Sequence, residues 1–232
     1  MRTVVAVSVL VLVAGCSGSG EDRSEMSVPS PPEAGSPATS PPSSSPGRTS
    51  ATVPTAAPPA DAPVAAVLAW VQGGARVEPA GFHTATRDGV TSDLGDDVAF
   101  VTPSGKTQCR TDATMTGGAL ACLVELADPP AEPADVYGQW IDNWVDFDGV
   151  TAQVGSVHGD PGPFSVGTGP ELPYGSSLRF GDFQCRTDPL GLFCVNFARQ
   201  TALRMSDAGV VPFGCLQEVP PPADIGLRFE CS

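Results

Sequence analysis

The chain carries a single lysine, Lys106, and only 12 basic residues against 26 acidic ones in 232. A formal net charge of −14 excludes a phosphate-tracking nucleic-acid binder, which gathers Lys and Arg on one face. The same deficit argues against adhesion to anionic headgroups through a polybasic segment. Long apolar runs are also missing: the stretch from Val4 to Val13 is too short to span a bilayer. There is no Gly-x-Ser-x-Gly elbow, no Ser-x-x-Lys pair and no Cys-x-x-Cys. The sequence marks of the common serine hydrolases and zinc sites are therefore absent. Two histidines, His83 and His158, leave little for imidazole chemistry.

What is present begins with an address. Arg2, the apolar stretch, then Leu12-Val13-Ala14-Gly15-Cys16 make a positive start, a short apolar core and small residues before a cut, the pattern of a secretory signal. The ending resembles the bacterial lipoprotein signal, cleaved before a diacylated cysteine. That resemblance implies residues 1–15 as signal peptide, a lipid (palmitate-type acyl chains) on Cys16, and a cell-membrane location on the extracytoplasmic face. Two or three acyl chains anchor durably where one does not.

Of the seven cysteines, setting Cys16 aside leaves an even set: Cys109, Cys122, Cys185, Cys194, Cys215 and Cys231. In an exported chain such a set reads as a disulfide framework. Residues 16–63 are dominated by Pro, Ser, Ala, Thr and Gly, too poor in large apolar groups to offset ordering entropy, and are expected to form a disordered linker. As a flexible coil of about 47 residues it would reach roughly 35–40 Å.

Residues 64–232 are expected to fold as one mainly β domain: a small antiparallel sheet or barrel-like body with disulfide-crossed hairpins and one or two short helices. Val64 to Val71 reads as a helix with an Asp61 cap, Pro63 early and Gly73-Gly74 as stop. Short apolar runs bounded by Gly, Pro, Asp and Ser then predict strands at 98–102, 107–110, 119–126, 151–155, 177–186, 192–197, 202–205 and 225–231.

One internal echo organises the cysteines. Gln108-Cys109-Arg110-Thr111-Asp112 recurs as Gln184-Cys185-Arg186-Thr187-Asp188, each followed by a turn and a second cysteine. Each block reads as a hairpin with a cysteine on either arm. Chain order then suggests Cys109–Cys122 and Cys185–Cys194, with Cys215–Cys231 by elimination, although six cysteines permit many other connectivities.

Phe100-Val101-Thr102-Pro103-Ser104-Gly105, Leu172-Pro173-Tyr174-Gly175, Gly181-Asp182-Phe183-Gln184-Cys185 and Gly191-Leu192-Phe193-Cys194-Val195-Asn196 resemble small secreted disulfide-braced domains of actinobacteria. The whole chain is similar to mycobacterial-type envelope lipoproteins. The resemblance covers roughly residues 98–232 and rests on turns and cysteines. It implies a fold plan and a location, and no catalytic residues.

Candidate chemistry is sparse. Ser156-Val157-His158-Gly159-Asp160 holds the residue types of a triad, yet a turn-forming loop explains the same run, and triads converge in space rather than in sequence. Asp146-Phe147-Asp148-Gly149 resembles part of a calcium loop, but in register the first and twelfth ligands would be Trp144 and Gly155, which fail. Asp88, Asp93, Asp96 and Asp97 could wrap a hard cation or belong to a solvated turn. Between Arg110 and Arg179 there is no Lys or Arg, while Tyr137, Trp140, Trp144 and Phe147 lie among acids. Such a face suits a basic partner or a glycan; alternatively, Trp140 and Trp144, four apart, form the buried stripe of a helical turn.

The expectation is a non-catalytic envelope module that binds a protein, glycan or lipid, with no catalytic residue, cofactor or metal ligand assigned. The alternatives are an envelope hydrolase or transferase using His158 or His83 as base, or a cation or small-ligand carrier.

Overall fold

The structure, a computed structural model, describes residues 55–158 and 162–232. The expected signal peptide, Cys16 and most of the expected linker lie outside the described residues. Helix α1 spans Val64–Gln72. Its N-cap is Pro63, and no side chain caps it, so the Asp61 cap is not formed; a helix opened by proline has one fewer orphan N–H to satisfy. Ala57 and Ala62, at the end of the expected linker, already pack beside it. No helix of the described residues is long and apolar enough to cross a membrane.

Among the described residues fifteen strands follow. They are β1 (Ala75–Arg76), β2 (Thr84–Arg87), β3 (Val90–Asp93), β4 (Ala99–Val101), β5 (Thr107–Arg110), β6 (Leu120–Val124), β7 (Gln139–Phe147) and β8 (Thr151–His158). After a short 3-10 turn at Gly162–Val166 come β9 (Ser176–Phe180), β10 (Phe183–Asp188), β11 (Gly191–Asn196), β12 (Thr201–Ser206), β13 (Gly209–Phe213), β14 (Leu216–Val219) and β15 (Ile225–Cys231). The domain is mainly β, as the turn-bounded apolar runs predict, but its sheets stay open and no barrel closes. The expected strand at 177–186 is two strands, β9 and β10, folded at Gly181 with φ 49°. Trp140 and Trp144 sit on strand β7, not on a helical turn.

Sheet 1 has the order β14-β15-β8-β7-β6-β5-β4, and sheet 2 the order β1-β9-β10-β11-β12-β13. Each contains a five-strand antiparallel meander, β4–β8 and β9–β13. Within them β5–β6 and β10–β11 place Cys109 opposite Cys122 and Cys185 opposite Cys194. The sequence echo is therefore a structural duplication. The three cysteine pairs are those suggested by chain order, with Cys215 joined to Cys231.

The inner faces of the two sheets share one core. Phe100, Leu120, Val145 and Phe147 from sheet 1 meet Leu178, Leu192, Leu203 and Met205 from sheet 2, together with both hairpin disulfides. Phe147 stands edge-on to Phe183 with centroids 5.6 Å apart. At about 25 cal/mol per Å2 of apolar surface removed from water, this interleaving is the dominant stabilising term. After β13 the chain leaves sheet 2 for sheet 1 at Gly214, where φ is 88° and an added Cβ would stand 2.7 Å from the Gln200 carbonyl oxygen.

Each half sends its leading segment to the other. The segment before the first meander, α1 and β1, lies on sheet 2, where β1 runs parallel to β9. The segment before the second meander lies on sheet 1, with Glu171 bridging in parallel to Val101. The repeated motif clamps both exchanges. Gln184 donates to the Val71 carbonyl and Arg186 Nη1 to the Trp70 carbonyl at 2.6 Å. Correspondingly, Gln108 accepts from Thr168 Oγ1, and Arg110 Nη1 donates to the Pro163 carbonyl.

Candidate functional site

The two halves differ in what covers their outer faces. On sheet 2, α1 lays Val67, Leu68, Trp70 and Val71 against Phe193, Val195, Ala202 and Phe213. On sheet 1 the described residues of the leading segment that lie over this face form the Gly162–Val166 turn, and among the described residues part of the face stays open. The opening is a cleft of about 690 Å3 between β7, β8, the 115–119 loop and the turn at Gly162 and Pro163, within the usual size range of small-ligand sites.

Strand periodicity supplies the lining. Val145 and Phe147 of β7 go to the core, while Trp144, Asp146 and the turn residue Asp148 line the cleft. On β8, Ala152 and Val154 go inward, while Thr151 and Gln153 line the cleft. By strand register, Trp144 stands where sheet 2 has Ala202, and Asp146 where it has Arg204. Gln153 stands where sheet 2 has Val211. The helix-binding surface of one half is thus replaced by aromatic and polar groups in the other.

Pairing of β7 with β8 is irregular between Ile141 and Val145. Gly155 answers the irregularity with φ 69°, and an added Cβ would stand 2.7 Å from Trp140 Cζ2. Beyond this bulge Ser156 and His158 follow. The His158 ring stacks on Trp144 with centroids 3.6 Å apart and planes at 26°, and Phe164 meets Trp144 edge-on at 5.1 Å. Trp144 is 1% exposed, and its indole Nε1 is shielded from solvent beside the Asp146 carboxyl.

Electrostatics divide the lining. Burial pushes the Asp146 carboxyl above its ordinary range; a hydrogen bond donated by the Trp144 indole opposes the rise, and the Asp148 charge adds to it. Asp148 itself is exposed, and its Oδ1 accepts from the backbone N–H groups of Val150 and Thr151 at 2.8 and 2.6 Å. Among the described residues the one cation lining the cleft, Arg228, is paired with Glu230 at 2.9 Å. Burial lowers the His158 pKa, so the ring is neutral at pH 7.

The sequence-derived candidates are scattered. Ser156 and His158 do meet: Oγ and Nε2 are 2.6 Å apart, close enough for a nucleophile and base. They lie at the end of a strand rather than in a loop, while Gly159 and Asp160 are outside the described residues. Ser156 is 4% exposed and sits between Ile141 and Ile225 in paired strands. Among the described residues no carboxylate bonds the His158 ring. His83 is remote from the cleft; its Nδ1 donates to the Asp97 carbonyl at 2.8 Å.

The acids of the 88–97 stretch serve turns. Asp93 accepts from Gly95 N–H, and Asp97 accepts from Thr111 Oγ1 and the Ala113 N–H. Among the described residues no group of three or more His, Cys, Asp or Glu is arranged to hold a metal. Gln153, Thr151, Arg228 and Phe164 escape a sequence reading; the first two have one signal, the alternation of β8, which needs the strand assignment first, while Arg228 on β15 and Phe164 in the turn have none. Comparison with family models, curated proteins and solved structures finds no match for this chain.

Proposed function

We propose that this chain is a lipid-anchored envelope protein whose disulfide-braced domain is a non-catalytic binding module, and that its ligand occupies the sheet 1 cleft. The observation that carries the reading is the contrast between the two halves. Among the described residues the duplicated scaffold is covered by α1 on sheet 2 and open on sheet 1. There it presents the half-buried Asp146 carboxyl together with Asp148, Thr151 and Gln153. A few polar groups gathered in a cleft of this size fix a ligand's orientation and give specificity.

The location rests on the signal-like start ending at Cys16 and on three disulfides, which persist in oxidising compartments. An alkyne-tagged palmitate analogue fed to expressing cells should label the wild-type chain and not Cys16→Ala. Labelling of both, or of neither, contradicts the anchor. For the module, thermal shift against a panel of envelope proteins, glycans and lipids should find a stabilising ligand whose effect disappears on altering Gln153. Stabilisation by none of them counts against it.

One observation favours a second reading, a hydrolase or transferase: the 2.6 Å contact of Ser156 with a neutral His158. A fluorophosphonate probe should then label Ser156, and His158→Gln should abolish labelling. The binding-module reading predicts no label.

A further inference from the structure

The two halves also meet in a pair of matching clefts, each built by the turn before a cysteine hairpin of one half and a turn of the other. In the first, Lys106 directly precedes β5, and its Nζ meets Asp207 of the β12–β13 turn at 2.7 Å. That cleft holds only about 140 Å3. Duplication carries Lys106 onto Asp182, which directly precedes β10, and the β12–β13 turn onto the β7–β8 turn with Asp148. Asp148 and Asp182 line the second cleft, which is open to about 550 Å3. One cleft sets an ammonium against a carboxylate; the other has a carboxylate on both turns.

Asp96 and Asp97 complete the acidic lining. Asp97 is engaged by Thr111 Oγ1 and the Ala113 N–H, and Asp148 gives Oδ1 to its own turn. Among the described residues Asp96, Asp148 and Asp182 form no ion pair, and no Lys or Arg lines the cleft. A further polar group lies in the same wall. Asn196, 3% exposed, sets its Nδ2 beside Gly149 of the β7–β8 turn. Its Oδ1 accepts the Arg199 N–H at 3.0 Å, while Nδ2 donates to no group among the described residues. The cleft therefore calls for positive charge between two turns and a hydrogen-bond acceptor at Asn196.

A metal ion does not fit, since among the described residues no group of three or more His, Cys, Asp or Glu is arranged to hold one. A polyamine brings ammonium groups but no acceptor for Asn196. A lysine within a peptide brings both, three ammonium donors and a backbone carbonyl close by. The chain's single lysine is already held in the first cleft, so the ammonium must come from another molecule. We infer that the second cleft is a docking site for a partner protein, which inserts a lysine between Asp148 and Asp182 as Lys106 meets Asp207 in the first. The site shares Asp148 with the sheet 1 cleft but does not depend on what that cleft holds.

The test uses the full-length mature protein, oxidised and in detergent micelles at fixed ionic strength, with 15N-labelled asparagine. The chain has two asparagines, Asn143 and Asn196, and Asn143→Ser assigns the Asn196 amide by elimination. A capped Gly-Gly-Lys-Gly-Gly peptide, its Nε-acetyl-lysine form, cadaverine and calcium are titrated to millimolar concentration. The lysine peptide should move the Asn196 amide protons downfield, and the acetylated one should not. Asp182→Asn should weaken binding about fivefold, the upper range for one exposed charge pair. Asp182→Lys rebuilds the pairing of the first cleft and should abolish binding with an unchanged or higher Tm. Equal response to the acetylated peptide, or binding that survives Asp182→Lys, would overturn the inference. So would a response to cadaverine or calcium alone, or a signal that no probe moves.

Discussion

Arg110 and Arg186 stand at the same position of two duplicated hairpins and make the same bond, each donating Nη1 to a backbone carbonyl of the segment that precedes the other half's sheet. Arg186 reaches Trp70 O at 2.6 Å, and Arg110 reaches Pro163 O. Arg186 also lies over the Trp70 ring at 3.8 Å. The exchange of leading segments is thus held by one repeated residue. The difference between the halves then follows from what is clamped: a nine-residue helix on one side and a five-residue turn on the other.

Removing a clamp should loosen one outer face without unfolding the core. Arg186→Ala should cost about 2 kcal/mol, the sum of a charge-assisted hydrogen bond and a cation–π contact. Equilibrium urea unfolding of the oxidised protein measures it. A loss below about 0.5 kcal/mol, the range of ordinary surface changes, would mean that the arginine does not hold α1.

Asp146 should be a site residue that costs stability. Its folded pKa is raised above 3.8, so the folded state holds the proton more tightly than the unfolded one. The destabilisation is therefore present above the folded pKa and vanishes as pH falls to the unfolded value. Asp146→Asn should raise Tm at pH 7, and the gain should shrink towards pH 4. A variant less stable than wild type at both pH values would contradict the assignment.

His158 predicts the opposite slope on the acid side of neutrality. Burial holds its folded pKa below 6.5, so the unfolded chain takes up the proton first. Stability should fall as pH drops through 6.5 and go on falling until the folded pKa is reached. His158→Gln should remove that component of the pH dependence, read as Tm against pH. An unchanged profile would show that the ring is freely solvated.

Gly155 should tolerate substitution worse than an exposed glycine of similar backbone. Gly155→Ala combines φ 69° with a Cβ 2.7 Å from Trp140, whereas Gly89 has φ 79° and nothing within 4 Å. Strain alone costs about 1 kcal/mol, and the contact adds roughly 1–3 kcal/mol. Thermal unfolding of the two variants should separate them; equal losses would mean that the bulge relaxes freely.

The legible part of this fold was local. The repeated Gln-Cys-Arg-Thr-Asp block announces two hairpins with cysteines on both arms, because a turn between two short apolar runs leaves few other structures, and strands β5 and β15 fall at the residues expected. Strand β7 was obscured by its own irregularity. The four-residue spacing of Trp140 and Trp144 mimics a helical stripe, and the irregularity opposite Gly155 breaks the two-residue alternation that marks a strand. The clamps of Arg110 and Arg186 join residues 53 and 116 apart in sequence, and no local pattern announces such pairs. The cleft was hidden for the same reason: it exists because a helix covers one half and not the other.

The central claim is that the sheet 1 cleft is where this protein meets its ligand. A photo-cross-linking amino acid placed at Gln153 in the anchored protein, with Val90 as control (67% exposed and on the separate β2–β3 hairpin), tests it in cells. The account predicts a discrete envelope adduct from position 153, lost when Asp146 is changed to Asn, and none from position 90. Equal capture from both positions, or an adduct from 153 indifferent to Asp146, would contradict it.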